Sequence, residues 1–293
     1  MGVSSAHMLQ DFLQFTFAGL TNGAIYALIA LGFSVVNNTM GIVNFVQVDF
    51  VSLGGMLMFS ALFAAGLPMA PGLLLAVAGV ALAAMLIERF GLRPARSGNH
   101  LVLIFLTVGL SIILRGVIKL VWGKNRMALP PLTPDVPVKI FGASVLPQAL
   151  WILLLTLVTI ALLTWFFYRT SLGLSMRAVA NNPTAAAVVG IPAGRVRLTS
   201  YAIAGALGGL AGVLVTPITT LSYDVGVLLG LKGFAAAILG GFGSFPGAIL
   251  GGLGLGLLES LTAGYWSSAY KDVVAFVVLL LVLFVRPKGL LGK

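Results

Sequence analysis

Apolar residues run along this chain in blocks that are long enough to cross a lipid bilayer. A helix needs about 20 apolar residues to span the hydrocarbon core. Blocks of roughly this size lie at 12–36, 45–66, 70–87, 101–122, 149–168 and 199–221, with a shorter one at 273–285. The pattern predicts an all-α fold, a polytopic transmembrane helical bundle.

The glycine-rich stretch 226–262 does not fit one span. It is too long for one crossing and too short for two comfortable ones, and the run from Gly240 to Gly247 interrupts it. Because glycine and proline in such a run end helices, we predict a hairpin of two short, broken helices. The bundle then has eight or nine crossings, which we assign to a single transmembrane domain covering residues 1–293.

Small residues recur at helical spacing in this half of the chain. They form the pairs Gly205/Gly209, Gly208/Gly212, Gly247/Gly251 and Gly252/Gly256. Pairs of this kind let helix backbones approach closely within a membrane. They predict tight helix packing.

Composition removes several classes of function. Only 8% of residues are charged, whereas a soluble domain carries about 25%. The net charge of +10 does not indicate a nucleic acid partner, because the positive charges lie between apolar blocks. The chain has no cysteine, two histidines, no G-x-x-x-x-G-K-S/T phosphate loop and no G-x-S-x-G motif. We therefore predict no enzyme activity, no metal site and no cofactor.

The distribution of charge between spans predicts orientation. Segments 88–100 and 169–198 and the C-terminal tail hold ten basic residues and one acid, whereas the other connections are balanced. Cytoplasmic loops carry the excess of Lys and Arg, so these three regions and the C-terminus are predicted to be cytoplasmic. The N-terminus is outside with nine crossings, and inside if one early segment is re-entrant.

Two pairs of ionisable residues lie within the later spans, where each charge costs about 2.5–3.5 kcal/mol at the helix centre. Arg115 and Lys119 lie in the outer third of their span and are predicted to extend outward to the interface. Lys232 and Glu259 flank the predicted hairpin, with an offset of about 7.5 Å. We predict an ion pair or a shared polar network between them. Outward extension of Lys232 is the alternative.

Five polar residues lie in the first two spans, and they are the candidates for a translocation path: Asn22, Tyr26, Asn44, Gln47 and Asp49. Polar groups at membrane depth must face protein or a water-filled cavity. They therefore predict either a lined pathway or hydrogen bonds between helices, and both interpretations remain open.

The basic loop between the fifth and sixth spans contains a short helix pattern. Asn182 suits the N-cap and Pro183 the first helical position, alanines including Ala187 continue the helix, and Gly190 suits its left-handed end. The pattern predicts a cytoplasmic helix about 10 Å long. Its small apolar face favours docking into a partner's groove over lying in the lipid interface.

Several motifs together resemble the permease subunits of branched-chain amino acid ABC importers, of the LivH type. The resemblance runs over nearly the whole chain and is strongest in Gly19–Gly32, Gly190–Val196, Gly230–Glu259 and the terminal Lys271–Gly292. One departure concerns the family pattern N-F-A-H/Q-G-D/E. This chain has Asn44-Phe45-Val46-Gln47-Val48-Asp49 there, so Val48 replaces a flexible glycine, and the local backbone or substrate preference is expected to differ.

The resemblance implies a type II-like ABC importer permease in a bacterial inner membrane. An external solute-binding protein would deliver an amino acid to a pore formed with a second, related but different permease subunit. Two cytoplasmic ATP-binding subunits would push on the helix Asn182–Gly190, within a coupling loop at residues 178–196. Related permeases carry urea, amides or aromatic acids. The alternative function is an ATP-independent secondary transporter or channel for small polar solutes such as amides or urea.

Overall fold

A computed structural model describes residues 2–95, 100–140 and 142–292 of this chain. Those residues contain eleven α-helices and one short β-hairpin. The helices are α1 (Gly2–Met40), α2 (Gln47–Phe59), α3 (Met69–Leu86), α4 (His100–Trp122), α5 (Pro147–Arg169), α6 (Ser171–Asn181), α7 (Pro183–Val188), α8 (Ala193–Val215), α9 (Val225–Gly240), α10 (Phe245–Tyr265) and α11 (Lys271–Val285). The antiparallel strands are β1 (Val138–Ile140) and β2 (Ala143–Val145), which precede α5.

Seven helices within the described residues are long and apolar enough to cross a membrane: α1, α2, α3, α4, α5, α8 and α10. Two of them are extended by a π-helical last turn, at Ser60–Ala64 after α2 and at Ile87–Leu92 after α3. The apolar α9 is shorter, with 16 residues, and α11 has 15. The all-α membrane bundle predicted from the apolar blocks is confirmed.

Helix α1 forms the centre of the bundle. Of the residues in its most apolar 18-residue window, 89% are buried, compared with 17% of those in the corresponding windows of α4 and α5. It packs mainly against α10, α8 and α9, while α3 packs against α8 on the other side. The helices α3, α4 and α5 therefore present most of their apolar side chains outward, as expected of a bundle surrounded by lipid.

Two glycine positions end α9 and turn the chain into α10. Gly241 and Gly243 have φ of +106° and +88°, a region that a side chain makes unfavourable. Ser244 then caps α10, its hydroxyl oxygen accepting from the Gly247 amide at 3.2 Å, and Pro246 lies in the first turn. The hairpin predicted from the run Gly240–Gly247 is confirmed, although α10 is a full-length helix rather than a short one.

The C-terminal tail lies against this turn. The amides of Leu290 and Leu291 donate to the carbonyls of Leu239 and Gly240, each at 2.9 Å. The Asn38 side-chain amide, near the end of α1, donates to the Gly243 carbonyl at 2.7 Å. One end of the bundle is thus formed by the tail, the α9–α10 turn and the last turn of α1.

The helices approach closely where glycines face each other across an interface. A methyl group on Gly212 of α8 would overlap the Val51 carbonyl oxygen of α2, and one on Gly54 would overlap the Gly209 carbonyl oxygen. On the other side of α8, Gly205 faces the α3 backbone near Val80. Because lipid tails are as apolar as leucine, such close packing supplies much of the attraction between helices in a membrane.

Replacing Gly212 with alanine is expected to destabilise the bundle by about 1–3 kcal/mol, because the new methyl group has no room beside α2. The thermal unfolding midpoint of the detergent-purified protein measures this loss. Gly116→Ala in α4 is the matched control, since a methyl group there meets open space. Equal midpoints for the two variants would contradict the packing argument.

Candidate functional site

A cluster of charged side chains lies inside the bundle, where four helices meet. The Lys232 ammonium (α9) is 2.9 Å from Glu259 Oε1 (α10) and 2.6 Å from Asp272 Oδ1 (α11). The Tyr26 hydroxyl (α1) donates to Glu259 Oε2 at 2.7 Å. Lys232 and Glu259 are buried, while the Asp272 side chain is 43% exposed. The structure therefore brings Lys232 and Glu259 together and adds two partners to them.

The two added partners were not assigned to this cluster from the sequence. Asp272 directly precedes the predicted block 273–285 and so lies outside the predicted spans, and Tyr26 is a candidate for the translocation path. Asp272 begins α11, and its position beside Lys232 depends on how the chain returns after α10. A tyrosine at the depth of an intramembrane Lys–Glu pair was the only local indication, because its hydroxyl needs a partner when it is buried.

A second ion pair joins α2 to α4. Asp49 is fully buried, and the Arg115 guanidinium donates to its carboxylate, Nε to Oδ1 at 2.9 Å and Nη2 to Oδ2 at 3.3 Å. The Ser111 hydroxyl, one turn before Arg115, donates to the same carboxylate. The prediction that Arg115 extends outward is wrong, because an unpaired Asp49 inside the bundle would cost more than the outward position gains. Lys119 does lie near the surface, over the ring of Tyr223 at 5.3 Å.

Asn44 and Gln47 are also fully buried inside the chain. The Asn44 side-chain oxygen accepts from the Val46 amide at 3.3 Å, and Gln47 Nε2 donates to the Ala204 carbonyl of α8 at 3.1 Å. Val48, the departure from the family pattern, lies in the first turn of α2 and packs against Gly230 of α9. Gln47 and Val48 thus join α2 to α8 and α9, whereas the Asn44 bond stays within the turn that precedes α2.

Asn22 differs from the other four path candidates. It is exposed and lines a cleft of about 280 Å³ between α1, β2 and the start of α5. Tyr26, Asn44, Gln47 and Asp49 are buried. The structure therefore does not bring the five candidates to one surface. In this conformation four of them make contacts within the protein, the second of the two interpretations that the sequence left open.

The short helix α7 lies at the end of the bundle that also holds the tail. The Asn182 side-chain oxygen accepts from the Ala185 amide at 3.0 Å, and Pro183 is the first helical residue. Gly190 has φ of +82°. It closes the helix together with Ile191, whose amide donates to the Ala186 carbonyl at 3.0 Å. The helix predicted from the capping residues is confirmed, but α6, which leads into it, was not predicted.

The exposed side of α7 is small and apolar. Ala186 is buried against the bundle, whereas Ala187 is exposed and Val188 and Val189 are 83% and 74% exposed. Valines at such a position have no partner within the described residues. A surface of this kind is typical of a docking site for another subunit.

Changing Lys232 to Met is expected to lower the free energy of unfolding by about 3–5 kcal/mol, because it leaves the buried Glu259 carboxylate without its cation. The double variant Lys232→Met/Glu259→Gln should be milder. Thermal unfolding midpoints of the four proteins in this cycle measure the coupling, which we expect at about 0.5–3 kcal/mol. Asp272→Asn is the control, with a smaller loss because water reaches that carboxylate. Additive effects of the two changes would contradict the pair.

The chain is similar in sequence to permease proteins of branched-chain amino acid transport, and it also aligns with a solved structure. The solved structure of PsaBC from Streptococcus pneumoniae in complex with Fab aligns with a TM-score of 0.46 at 14% identity, covering 96% of this chain and 92% of that one. BraD, a permease protein of the high-affinity branched-chain amino acid transport system of Pseudomonas aeruginosa, is 35% identical over 97% of both chains. LivH, the corresponding permease protein of Escherichia coli K12, is 36% identical over 96% of both chains. Residues 15–283 match the family described as the permease component of the branched-chain amino acid transport system, and the chain therefore belongs to that family.

Proposed function

We propose that this chain is the membrane-spanning permease subunit of an ATP-driven importer for branched-chain or other hydrophobic amino acids. The observation that carries the proposal is the family match, which extends over residues 15–283 and thus over nearly every helix of the bundle. The whole chain acts as one transmembrane permease domain. It receives the amino acid from an external solute-binding protein and forms the translocation path with a second permease subunit, a related but different chain.

ATP hydrolysis belongs to two separate cytoplasmic subunits in this proposal, because the chain has no phosphate-binding loop. They act on the coupling loop 178–196. The exposed Ala187, Val188 and Val189 of this loop supply an apolar surface for a groove on the ATPase. Asn182 and Gly190 hold the two ends of α7, so the helix keeps its shape when it is pushed.

The orientation follows from where the basic residues gather. The start of α8 lies beside the end of α3, where Arg197 Nε is 3.6 Å from Glu88 Oε1, and the tail lies against the α9–α10 turn. The described parts of the three basic segments therefore lie at the end that carries α7. The excess of Lys and Arg supports a cytoplasmic location for this end and the C-terminus, with the β-hairpin on the outer side of the bacterial inner membrane.

Replacing Ala187 with Glu is expected to uncouple ATP hydrolysis from uptake, because a charged, bulky side chain cannot enter an apolar groove. Leucine uptake into vesicles containing the complete transporter should fall at least tenfold, which corresponds to about 1.4 kcal/mol or more of lost coupling. Membrane insertion should be unchanged.

Ala187→Ser is the control for this substitution, since it keeps the side chain small and the helix capped. It should retain most of the uptake. Normal uptake by the Glu variant would contradict the coupling role of α7. Uptake by the purified chain without ATPase subunits would contradict the proposed function itself, because only a secondary transporter or channel works alone.

A further inference from the structure

The cleft that Asn22 lines lies at the end of the bundle opposite α7. It is formed by α1, by β2 and by the first turn of α5. The β-hairpin leads into α5 at Pro147, and α6 and α7 follow after α5 ends at Arg169. The cleft and α7 are therefore separated by the length of α5, about 34 Å. The Ser144 amide of β2 donates to Gln14 Oε1 of α1 at 3.3 Å. This bond holds the hairpin beside the cleft as part of its wall.

Asn22 lies at membrane depth without a hydrogen bond to the described part of the chain. It is 16 residues before Asn38 on α1, which corresponds to about 24 Å of helix, and the hydrocarbon core is about 30 Å thick. An amide at this depth is unfavourable in contact with lipid and needs protein or water around it. Asp11, Gln14 and Ala18 are exposed on the same face of α1. This face of the central helix is therefore unsuited to lipid and suits either a neighbouring subunit or an aqueous space.

The residues of the cleft define the solute it suits. Its polar side chains are uncharged and comprise Gln14, Thr21, Asn22 and Ser144, while Phe17, Val145 and Ile218 form apolar parts of the wall. No charged side chain lines it to select an anion or a cation. A volume of about 280 Å³ lies just below the range of about 300–1,000 Å³ for drug-sized ligands, so the solute is small.

We propose that this cleft is the outward-facing subsite that first receives the solute, and that it takes a small zwitterionic amino acid with an apolar side chain. The Asn22 amide both donates and accepts hydrogen bonds, so it contacts either the carboxylate or the ammonium group of the zwitterion. The apolar wall covers the side chain. This subsite rests on the proposed function, because delivery from outside gives the cleft its place in transport.

The chain contains no cysteine, so Asn22→Cys introduces the single thiol of the subunit. In right-side-out vesicles containing the complete transporter, with cysteine-free partner subunits, a charged, membrane-impermeant methanethiosulfonate should modify this thiol. Ile113→Cys on α4 is the matched control. The Ile113 side chain is 62% exposed and lies on the lipid-facing surface of the bundle, so a thiol there should not react.

Leucine, added with the solute-binding protein, is the probe for the solute. At a concentration about ten times its dissociation constant, occupancy should slow modification of Asn22→Cys about tenfold. Glutamate, which carries a net charge, should give no protection. Ser144→Cys, on the opposite wall, repeats both measurements in case the first variant does not assemble.

The outcomes separate this subsite from the proposed function. Absence of modification at both Asn22→Cys and Ser144→Cys would overturn the aqueous cleft, and modification that leucine does not slow would overturn the solute subsite. Either result leaves leucine uptake by the unmodified transporter as the independent measure of the proposed function. Protection by leucine without any leucine uptake would support the subsite. Of the two proposals, it would contradict only the proposed function.

Discussion

A polar group inside a bilayer is unfavourable in contact with lipid, so it must find its partner within protein or in a water-filled cavity. This constraint explains the contacts that join the helices of the chain. Lys232 holds two carboxylates from α10 and α11, Glu259 accepts from Tyr26 of α1, and Asp49 of α2 binds Arg115 of α4. Each of these contacts joins two different helices of the bundle.

Lipid also removes the hydrophobic driving force that packs helices together in water. Between lipid-covered helices, attraction comes from dispersion at short range and therefore depends on how closely the backbones approach. Glycines on α8 let α2 and α3 approach it, and glycines on α1 and α10 do the same at the centre of the bundle. Tight contacts through glycine and a few ion pairs thus hold α1 at the centre, while α3, α4 and α5 form the lipid-facing surface.

Helix α1 runs from the cleft beside the β-hairpin to the end of the bundle that carries α7. Asn22 lies at the outer cleft, Tyr26 contacts the charged cluster one turn further in, and Asn38 reaches the α9–α10 turn. The tail and the α6–α7 segment lie at that inner end. In the proposed function, a displacement of α7 by an ATPase would act on the end of the bundle that holds the end of α1, while the proposed solute cleft lies at the other end.

Local chemistry in the sequence was sufficient for those elements whose determinants are neighbours in the chain. The apolar blocks determined the spans, Gly241 and Gly243 the hairpin turn, and Asn182, Pro183 and Gly190 the capped helix α7, because caps, left-handed turns and span lengths depend on adjacent residues. The distribution of Lys and Arg along the chain likewise predicted which segments share the basic end that carries α7. The partner of each buried polar side chain could not be predicted in this way. Arg115 turns inward to Asp49, Asp272 contacts Lys232, and Asn22 is the exposed one of the five path candidates. Those outcomes depend on which distant helix lies opposite each side chain, and only the tertiary packing decides that.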